Sequence, residues 1–153
     1  HPALIQHLDG CIYAWSQLVS DQSAHDPRLD IGSMDIEDIR NFLRRLILDH
    51  RIIVALESES IVGIATVSPD LNMLDHSGTV WNIADVWVEP SHRRRGIARH
   101  LVKASEERAM LNGATEVRLQ VYASNGAASM MYGELGYNTI IRTMRKRLDE
   151  ESL

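Results

Sequence analysis

Hydrophobic and polar residues follow the period of helices and loops in the first third of the chain. A short strand-like run, Ala3–Leu8, comes first, and apolar residues at helical spacing then continue from Asp9, which can cap the helix, to about Val19. The polar stretch Gln22–Ser33 is rich in turn-forming residues and is predicted to be a loop. Apolar residues at helical spacing after Asp35 predict a second helix, with the Asp35 carboxylate as its N-terminal cap.

The middle of the chain changes to the period of β-strands. Ile52–Leu56 and Ile61–Val67 are short apolar runs on either side of a polar turn, which predicts a β-hairpin. Thr79–Val88 is a third and longer strand, and Pro90 ends it because proline cannot donate to a sheet ladder. This region is therefore predicted to begin a sheet.

The last third of the chain alternates between the two periods. Arg94–Asn112 is predicted to be a helix, Glu116–Val121 a strand, Asn125–Leu135 a short helix and Tyr137–Arg147 a final strand. Strand–helix–strand units of this kind favour parallel crossovers. The order of elements predicts an α/β fold: a mixed sheet of six or seven strands flanked by about four helices.

The composition narrows the class of protein. With 153 residues, 44% of them hydrophobic and 24% charged, the chain is predicted to be a single globular domain, 1–153. Sixteen basic against 21 acidic residues leave a net charge of −5, which disfavours a general nucleic-acid binder. Cys11 is the only cysteine, so an internal disulfide and a thiolate zinc site are excluded. The histidines lack metal-ligand spacing, and no metal is expected.

The sequence also bears on the cellular location of the protein. No apolar run approaches the length needed to span a bilayer, which predicts no membrane association. The chain begins with His1 rather than Met, and no secretory signal is visible in it. We therefore expect a cytoplasmic protein.

A candidate anion-binding site lies where the third strand passes into the following helix. Val86–Val88 ends the strand, and the helix after it starts with unpaired N–H groups and the positive end of its dipole. Gly96 and Ala98 are small enough to let a phosphate approach the backbone, and Arg93–Arg95 add fork-shaped donors. Taken alone, the pattern Arg-x-x-Gly-x-Ala is equally consistent with a solvated basic helix start.

A second motif turns this pattern into a family resemblance. Thirty-two residues after Arg93, the chain reads Asn125-x-x-Ala128-x-x-x-Tyr132-x-x-x-Gly136-Tyr137. With the earlier loop, this resembles the GNAT superfamily of acetyl-CoA-dependent N-acetyltransferases. The motifs cover about Asp85 to Tyr137, and the order of elements agrees with the family over most of the chain.

The resemblance implies a GNAT fold whose sheet splays apart beside the strand that ends at Val88. The pantetheine arm of acetyl-CoA would pair there with backbone groups of Val86 and Val88, and its pyrophosphate would lie on the N–H groups of Arg94–Ala98. Asn125 would contact the arm, and Tyr132 would lie beside the sulfur. Family habit also suggests a homodimer. The cofactor-binding residues that the resemblance implies are Val86, Trp87, Val88, Arg93, Arg94, Arg95, Gly96, Ile97, Ala98, Asn125, Ala128 and Tyr132.

The implied reaction is direct attack of a primary amine on acetyl-CoA. Since an alkylamine has a pKa of about 10, a carboxylate or a chain of waters must take its proton, and Asp85 is the candidate carboxylate because it lies just before the cofactor-binding run. Many relatives carry two acidic residues here, whereas this chain has Ala84 before Asp85, so a structural role for Asp85 is an open alternative. Tyr132 is the candidate acid for the departing thiolate, against the alternative of a tyrosine packed in the core.

The acceptor and the activity itself each have more than one interpretation. The acceptor is predicted to be a small-molecule or peptide amine contacted by His25–Ser33, by the loop at Asn72–His76 and by the segment after Tyr137. The competing function is a non-catalytic acyl-CoA sensor that keeps the cofactor site. The presence of both Asp85 and Tyr132 favours an enzyme.

Overall fold

The structure is a computed structural model, and it describes residues 1–71, 74 and 77–148. Four α-helices and four β-strands follow one another along these residues. The helices are α1 (Leu8–Gln22), α2 (Ile36–Leu48), α3 (Ile97–Leu111) and α4 (Gly126–Glu134). The strands are β1 (Ile52–Glu57), β2 (Ser60–Pro69), β3 (Val80–Val88) and β4 (Glu116–Leu119).

The strands form one mixed sheet in the order β1-β2-β3-β4. β1, β2 and β3 are neighbours along the chain and pair antiparallel, as the predicted hairpin requires. β4 pairs parallel with β3 because α3 carries the chain back across the sheet between them. The predicted mixed α/β fold with about four helices is confirmed.

The predicted strand count is wrong for the described residues, which contain a sheet of four strands rather than six or seven. At Ala3–Leu8 a 3₁₀ turn over Ile5–His7 leads straight into α1, since the Leu4 N–H donates to His7 Nδ1 (3.0 Å). Only Pro2 forms an isolated bridge, to Ile53.

The predicted final strand, Tyr137–Arg147, is also absent. Residues 137–148 carry no helix or strand, and Ile140, Ile141 and Met144 are exposed. Arg145 lies 4.0 Å from Asp26, so this segment runs beside the connection between α1 and α2. Because residues 138–148 are all exposed, the alternating pattern of this segment has no buried face and does not form a strand.

Two helix starts also differ from prediction, whereas a third is confirmed. α1 has His7 and not Asp9 as its N-cap, and Asp9 pairs with Arg40 instead. α3 begins at Ile97 rather than Arg94, because Arg94 and Gly96 have φ angles of 63° and 78° that no α-helix contains. Asp35 caps α2 as predicted, accepting from the Glu37 N–H at 2.7 Å.

Helices cover both faces of the sheet. α1 and α2 pack on one face, where Cys11, Leu43 and Ile64 are fully buried. α3 and α4 cover the other face, where Ile83 and Val102 pack with Tyr132. We call these the α1/α2 face and the α3/α4 face.

A β-bulge in β3 decides which side chains reach each face. Ile64 pairs with Trp87 but Thr66 pairs with Ala84, so β3 has one residue more than β2 over this stretch. Asp85 lies within the bulge and has a φ of 53°. As a result Ile83 packs on the α3/α4 face and Trp87 on the α1/α2 face, although four residues would normally return a strand to the same face.

Candidate active site

The bulge turns the Asp85 carboxyl toward the α1/α2 face. Asp85 Oδ2 accepts a 2.8 Å hydrogen bond from the hydroxyl of Thr66, which is buried two residues after Ile64 on that face. The indole of Trp15 faces the same carboxyl from α1, while its buried Nε1 makes no hydrogen bond of normal geometry with the described residues. The surroundings of Asp85 thus consist of neutral donors.

These neighbours set the protonation behaviour of Asp85. Burial raises the pKa of the Asp85 carboxyl above its usual value, and the hydrogen bond from Thr66 and the nearby N–H of Trp15 oppose that rise. No ion pair of Asp85 is found within the part of the chain that the structure describes. A half-buried carboxyl without a cation is suited to accept a proton.

The loop between β3 and α3 presents a row of backbone donors. Within the described residues, none of the N–H groups from Arg94 to Arg99 donates to a protein acceptor, and the first helical bond runs from His100 N to Gly96 O (3.2 Å). Gly96 is the N-cap in a left-handed conformation, and a Cβ built on it would meet nothing closer than His100 at 3.8 Å. Space and donors for an anion are therefore present together.

The three arginines of this loop differ in their partners. Arg93 is used within the fold: its Nε donates to the Val88 carbonyl (2.9 Å) and its Nη2 to Asp21 (3.0 Å). Arg95 lies 3.6 Å from Glu57, and Arg94 makes no side-chain contact of this kind with the described residues. Arg94 is thus the arginine with the fewest commitments to the fold.

The sheet opens directly beside this loop. β3 and β4 pair only from Val80↔Glu116 to Ile83↔Leu119, and no described residue of β4 pairs with Val86–Val88. The edge of β3 is therefore open toward β4 over its last residues. This opening is where the resemblance places the pantetheine arm.

Asn125 and Ala128 lie at the start of α4, which follows β4 in the chain. Asn125 is the N-cap of α4, and its Oδ1 accepts from the Ala128 N–H at 3.3 Å. Capping uses the amide oxygen and leaves the Nδ2 donor for another partner.

Tyr132 lies on the face of the sheet opposite to the Asp85 carboxyl. Its ring is buried with Ile83 and Val102 on the α3/α4 face, with 8% of its surface exposed. Its hydroxyl makes no hydrogen bond to any described residue, and burial raises the pKa of the phenol. The structure thus places Tyr132 in the core, with no partner for its hydroxyl among the described residues.

Comparison with known protein families identifies the family of this chain. The sequence profile of the acetyltransferase (GNAT) family matches residues 13–137 of this chain. The chain belongs to this family.

A curated relative matches part of the chain, and solved structures share its fold over nearly all of it. An uncharacterized N-acetyltransferase, YobR, of Bacillus subtilis is 33% identical over 84 residues, which are 55% of this chain and 31% of YobR. The chain thus spans about a third of the length of this relative. A solved structure of the BH1408 protein (mutant F44R) from Bacillus halodurans matches with a TM-score of 0.76 at 16% identity, covering 97% of this chain and 98% of that one.

A second solved structure with this fold was determined with a ligand. A predicted acetyltransferase from Clostridium acetobutylicum, determined with acetyl-CoA, matches with a TM-score of 0.71 at 14% identity, covering 95% of this chain and 92% of that one. Likeness at this level of identity shows that the two chains share a fold.

Several polar residues of the predicted acceptor segments have partners within the fold. Asp26 accepts two side-chain hydrogen bonds from Arg28 (3.0 and 2.9 Å), which lower the pKa of its carboxyl to about 2. His25 stacks on Tyr122 with ring centroids 5.3 Å apart. Of the predicted acceptor loop at Asn72–His76, positions 72, 73, 75 and 76 lie outside the described residues.

Sequence reasoning missed four residues that support this site: Thr66, Trp15, Asp21 and Glu57. Asp21 accepts from Trp87 Nε1 (3.2 Å) as well as from Arg93, and so links the end of α1 to β3 and to the loop between β3 and α3. None of the four belongs to a motif, and each is far in sequence from its partner. Only the pairing of the strands and helices reveals them.

Two further features are absent from the described residues. No helix there is both long and apolar enough to cross a membrane. No group of three or more histidine, cysteine or carboxylate side chains there is arranged to hold a metal ion.

Proposed function

We propose that this chain transfers an acetyl group from acetyl-CoA to a primary amine by direct attack. The observation that carries the proposal is the row of unpartnered N–H groups from Arg94 to Arg99, directly beside the open edge of β3. An extended arm with a terminal pyrophosphate fits such a combination of sheet edge and anion site.

The residues of this chain fit acetyl-CoA, which supplies a thioester as the acyl donor. The N–H groups of Arg94–Ala98 would hold the pyrophosphate, with Arg94 as the nearest uncommitted cation. Val86 and Val88 would offer backbone groups to the arm, although the Val88 carbonyl already accepts one bond from Arg93. Trp87 directs its ring to the α1/α2 face, so its contribution would come from the backbone.

The opening between β3 and β4 connects the two faces of the sheet. Asp85 lies toward the α1/α2 face and Tyr132 on the α3/α4 face, so a thioester within the opening would be reached from opposite sides. The amine would approach from the Asp85 side. Tyr132 would lie on the side from which the thiolate departs.

Asp85 would take the proton that the amine must lose. Burial raises the pKa of its carboxyl, which brings a weak base closer to the pH at which it must act. Backbone N–H groups in the open part of β3, near Val86–Val88, would stabilise the carbonyl oxygen without a side chain.

Tyr132 would assist departure of the thiolate as a hydrogen-bond donor. Full proton transfer from a phenol of pKa about 10 to a thiolate whose acid has a pKa of about 8.5 costs about 2 kcal/mol, and burial raises the pKa of Tyr132 further. The phenol therefore stays protonated at neutral pH and acts through its O–H.

The sensor alternative requires acetyl-CoA binding without turnover. An experiment with two readouts separates it from an enzyme: the melting temperature with and without acetyl-CoA, and release of free thiol from acetyl-CoA over a panel of amines. The panel contains lysine, spermidine, glucosamine 6-phosphate, an aminoglycoside and a peptide with a free N-terminus. We expect stabilisation and amine-dependent thiol release.

Gly96→Asp is the matched variant, because it places a carboxylate beside the N–H row at a position where a Cβ meets no close neighbour. Its left-handed φ of 78° is a conformation that aspartate tolerates better than most side chains. We expect a folded protein with weakened acetyl-CoA affinity. Stabilisation by acetyl-CoA equal to that of the wild type would exclude this loop as the site, and stabilisation without thiol release on any amine would favour the sensor.

A further inference from the structure

We infer that Thr66 is a positioning residue for the reaction: its hydroxyl holds the Asp85 carboxylate in the orientation from which it accepts the proton of the amine. This inference rests on the proposed function, because it assigns a role to Asp85 in acetyl transfer. The carrying observation is the 2.8 Å hydrogen bond from Thr66 Oγ1 to Asp85 Oδ2 across the β2–β3 pair.

The bulge sets the face toward which Asp85 points, and the hydrogen bond from Thr66 fixes the orientation of the carboxyl on that face. In a regular strand the neighbours on both sides would define where residue 85 points, but here β3 has an extra residue opposite β2 and Asp85 has a φ of 53°. Thr66 pairs with Ala84, the residue just before the bulge, and so its hydroxyl lies beside the carboxyl. The hydroxyl is the only donor of normal hydrogen-bond geometry to Asp85 in the described part of the chain.

Thr66 itself is held rigidly. It is 4% exposed, lies in the middle of β2 and is flanked by two fully buried residues, Ala65 and Val67. Threonine branches at Cβ, which restricts χ1 in a strand. A hydroxyl on so rigid a stem can fix the orientation of the carboxylate that lies in the bulge.

The neutral charge of the Thr66 hydroxyl preserves the basicity of Asp85. A lysine or arginine in place of Thr66 would pair with Asp85 and stabilise its charged form strongly, which would make it a weaker base. A neutral hydroxyl fixes one carboxylate oxygen and leaves the other for the amine.

Charged groups of the surrounding elements are engaged elsewhere. On α1, Asp21 accepts from Trp87 and Arg93, and Asp9 pairs with Arg40 of α2. The influences on the Asp85 pKa are burial and the two neutral donors, Thr66 and Trp15. A change in its titration after substitution of Thr66 therefore reports on the hydroxyl.

The test compares Thr66→Val, which keeps the shape and removes the hydroxyl, with Thr66→Ser, which keeps the hydroxyl. Thr115→Val is the control for the same change at an exposed threonine. The full chain is labelled with ¹³C at the aspartate carboxyls and titrated by NMR, and the signal lost in Asp85→Asn identifies Asp85. This readout needs no acceptor. Thiol release with the most active amine of the panel gives kcat and KM in parallel.

We expect the titration midpoint of Asp85 to move to higher pH in Thr66→Val and to stay in place in Thr66→Ser and Thr115→Val. Turnover of Thr66→Val should fall about 10- to 100-fold in kcat, with KM for acetyl-CoA unchanged. Thr66→Ser should recover most of the loss. Thr66→Ala replaces Thr66→Val in both measurements if the valine variant does not fold.

Several outcomes would overturn the inference, and they differ from failure of the proposed function. An unshifted midpoint with wild-type kcat in Thr66→Val, while Asp85→Asn is inactive, removes Thr66 and leaves Asp85 in place. Full activity of Asp85→Asn removes both residues from the mechanism. If no amine releases thiol, the titration still decides whether Thr66 holds the carboxyl.

Discussion

The rings of Tyr132 and Tyr137 meet edge to face, with their centroids 5.8 Å apart and their planes inclined by 69°. Tyr137 is fixed in turn, because its hydroxyl donates a 2.7 Å hydrogen bond to Glu106 Oε1 of α3. The ring of Tyr132 is therefore oriented by a contact that does not use its own hydroxyl. That hydroxyl is left for a ligand.

Tyr132→Phe should separate these two functions of the residue. The ring, its packing and the contact with Tyr137 remain, so the melting temperature and acetyl-CoA affinity should change little. Turnover should fall by about 10²- to 10³-fold when chemistry limits the rate, as is typical of losing one hydrogen-bond donor to a developing negative charge. The measurement is single-turnover thiol release; wild-type turnover under those conditions would remove Tyr132 from the mechanism.

Tyr137→Phe is the matched control, since it removes a hydroxyl that has a structural partner. We expect it to lower the melting temperature, because loss of this hydrogen bond leaves the Glu106 carboxylate without its donor. Its effect on turnover should be smaller than that of Tyr132→Phe. A larger loss of turnover in Tyr137→Phe than in Tyr132→Phe would show that the Tyr137 hydroxyl, and not that of Tyr132, assists the reaction.

Two glycines offer opposite predictions for stability. At Gly63 a Cβ would come within 2.9 Å of the Leu101 side chain and 3.3 Å of the Trp87 carbonyl, so α3 packs against bare backbone there. Gly63→Ala should destabilise the protein by about 1–3 kcal/mol through overpacking. Gly133→Ala, in α4 with no atom within 4 Å of the added Cβ, should stabilise it by about 0.5–1 kcal/mol. Urea unfolding of both variants checks the signs, and a stabilised Gly63→Ala would contradict the packing.

The Asp26–Arg28 pair predicts a pH-dependent contribution to stability. The folded-state pKa of Asp26 is about 2, below its usual value of 3.8, chiefly because Arg28 hydrogen-bonds the carboxylate. A lowered pKa stabilises the folded state above the unfolded pKa, and that stabilisation is lost as the pH falls toward the folded value. Asp26→Asn should therefore lower the melting temperature near neutral pH and approach the wild type as the pH falls from about 4 toward 2. A gap between the two melting curves that stays constant over this range would contradict the prediction.

Cys11 should be unreactive in the folded protein. It is fully buried on α1, and burial raises the pKa of its thiol from 9.0 to about 12, so almost no thiolate exists at neutral pH. We expect no reaction with a disulfide reagent under native conditions and one thiol per chain in guanidinium chloride. Rapid native labelling would show that α1 opens readily.

Periodicity was enough to predict the elements that have two clear sides. The hairpin β1–β2, the long strand β3 and the helix α2 follow apolar patterns whose counterpart is a buried face, and they are confirmed. Ala3–Leu8 was misassigned because a local hydrogen bond between Leu4 and His7 competes with strand pairing. Tyr137–Arg147 was misassigned because propensity cannot indicate whether a neighbouring strand is present.

The candidate site likewise has one part that the sequence predicts and one part that it does not. The Arg93–Ala98 and Asn125–Tyr137 motifs are local in sequence and were visible without a structure. The Asp85 environment was not, because Thr66 is 19 residues away and Trp15 comes from another element. The direction in which Asp85 points depends on a bulge, and no residue of the bulge has a sequence signature that predicts it.

The bulge in β3 also makes the length of this strand a strict requirement. Removing one residue between Ile83 and Trp87 would restore regular alternation and send every later side chain of β3 to the opposite face. The Trp87 indole would then be directed into the tight contact between Gly63 and Leu101, while Val88 would fill the larger space near Asp21. Homologues and engineered variants should therefore accept substitutions in this stretch far more readily than deletions or insertions.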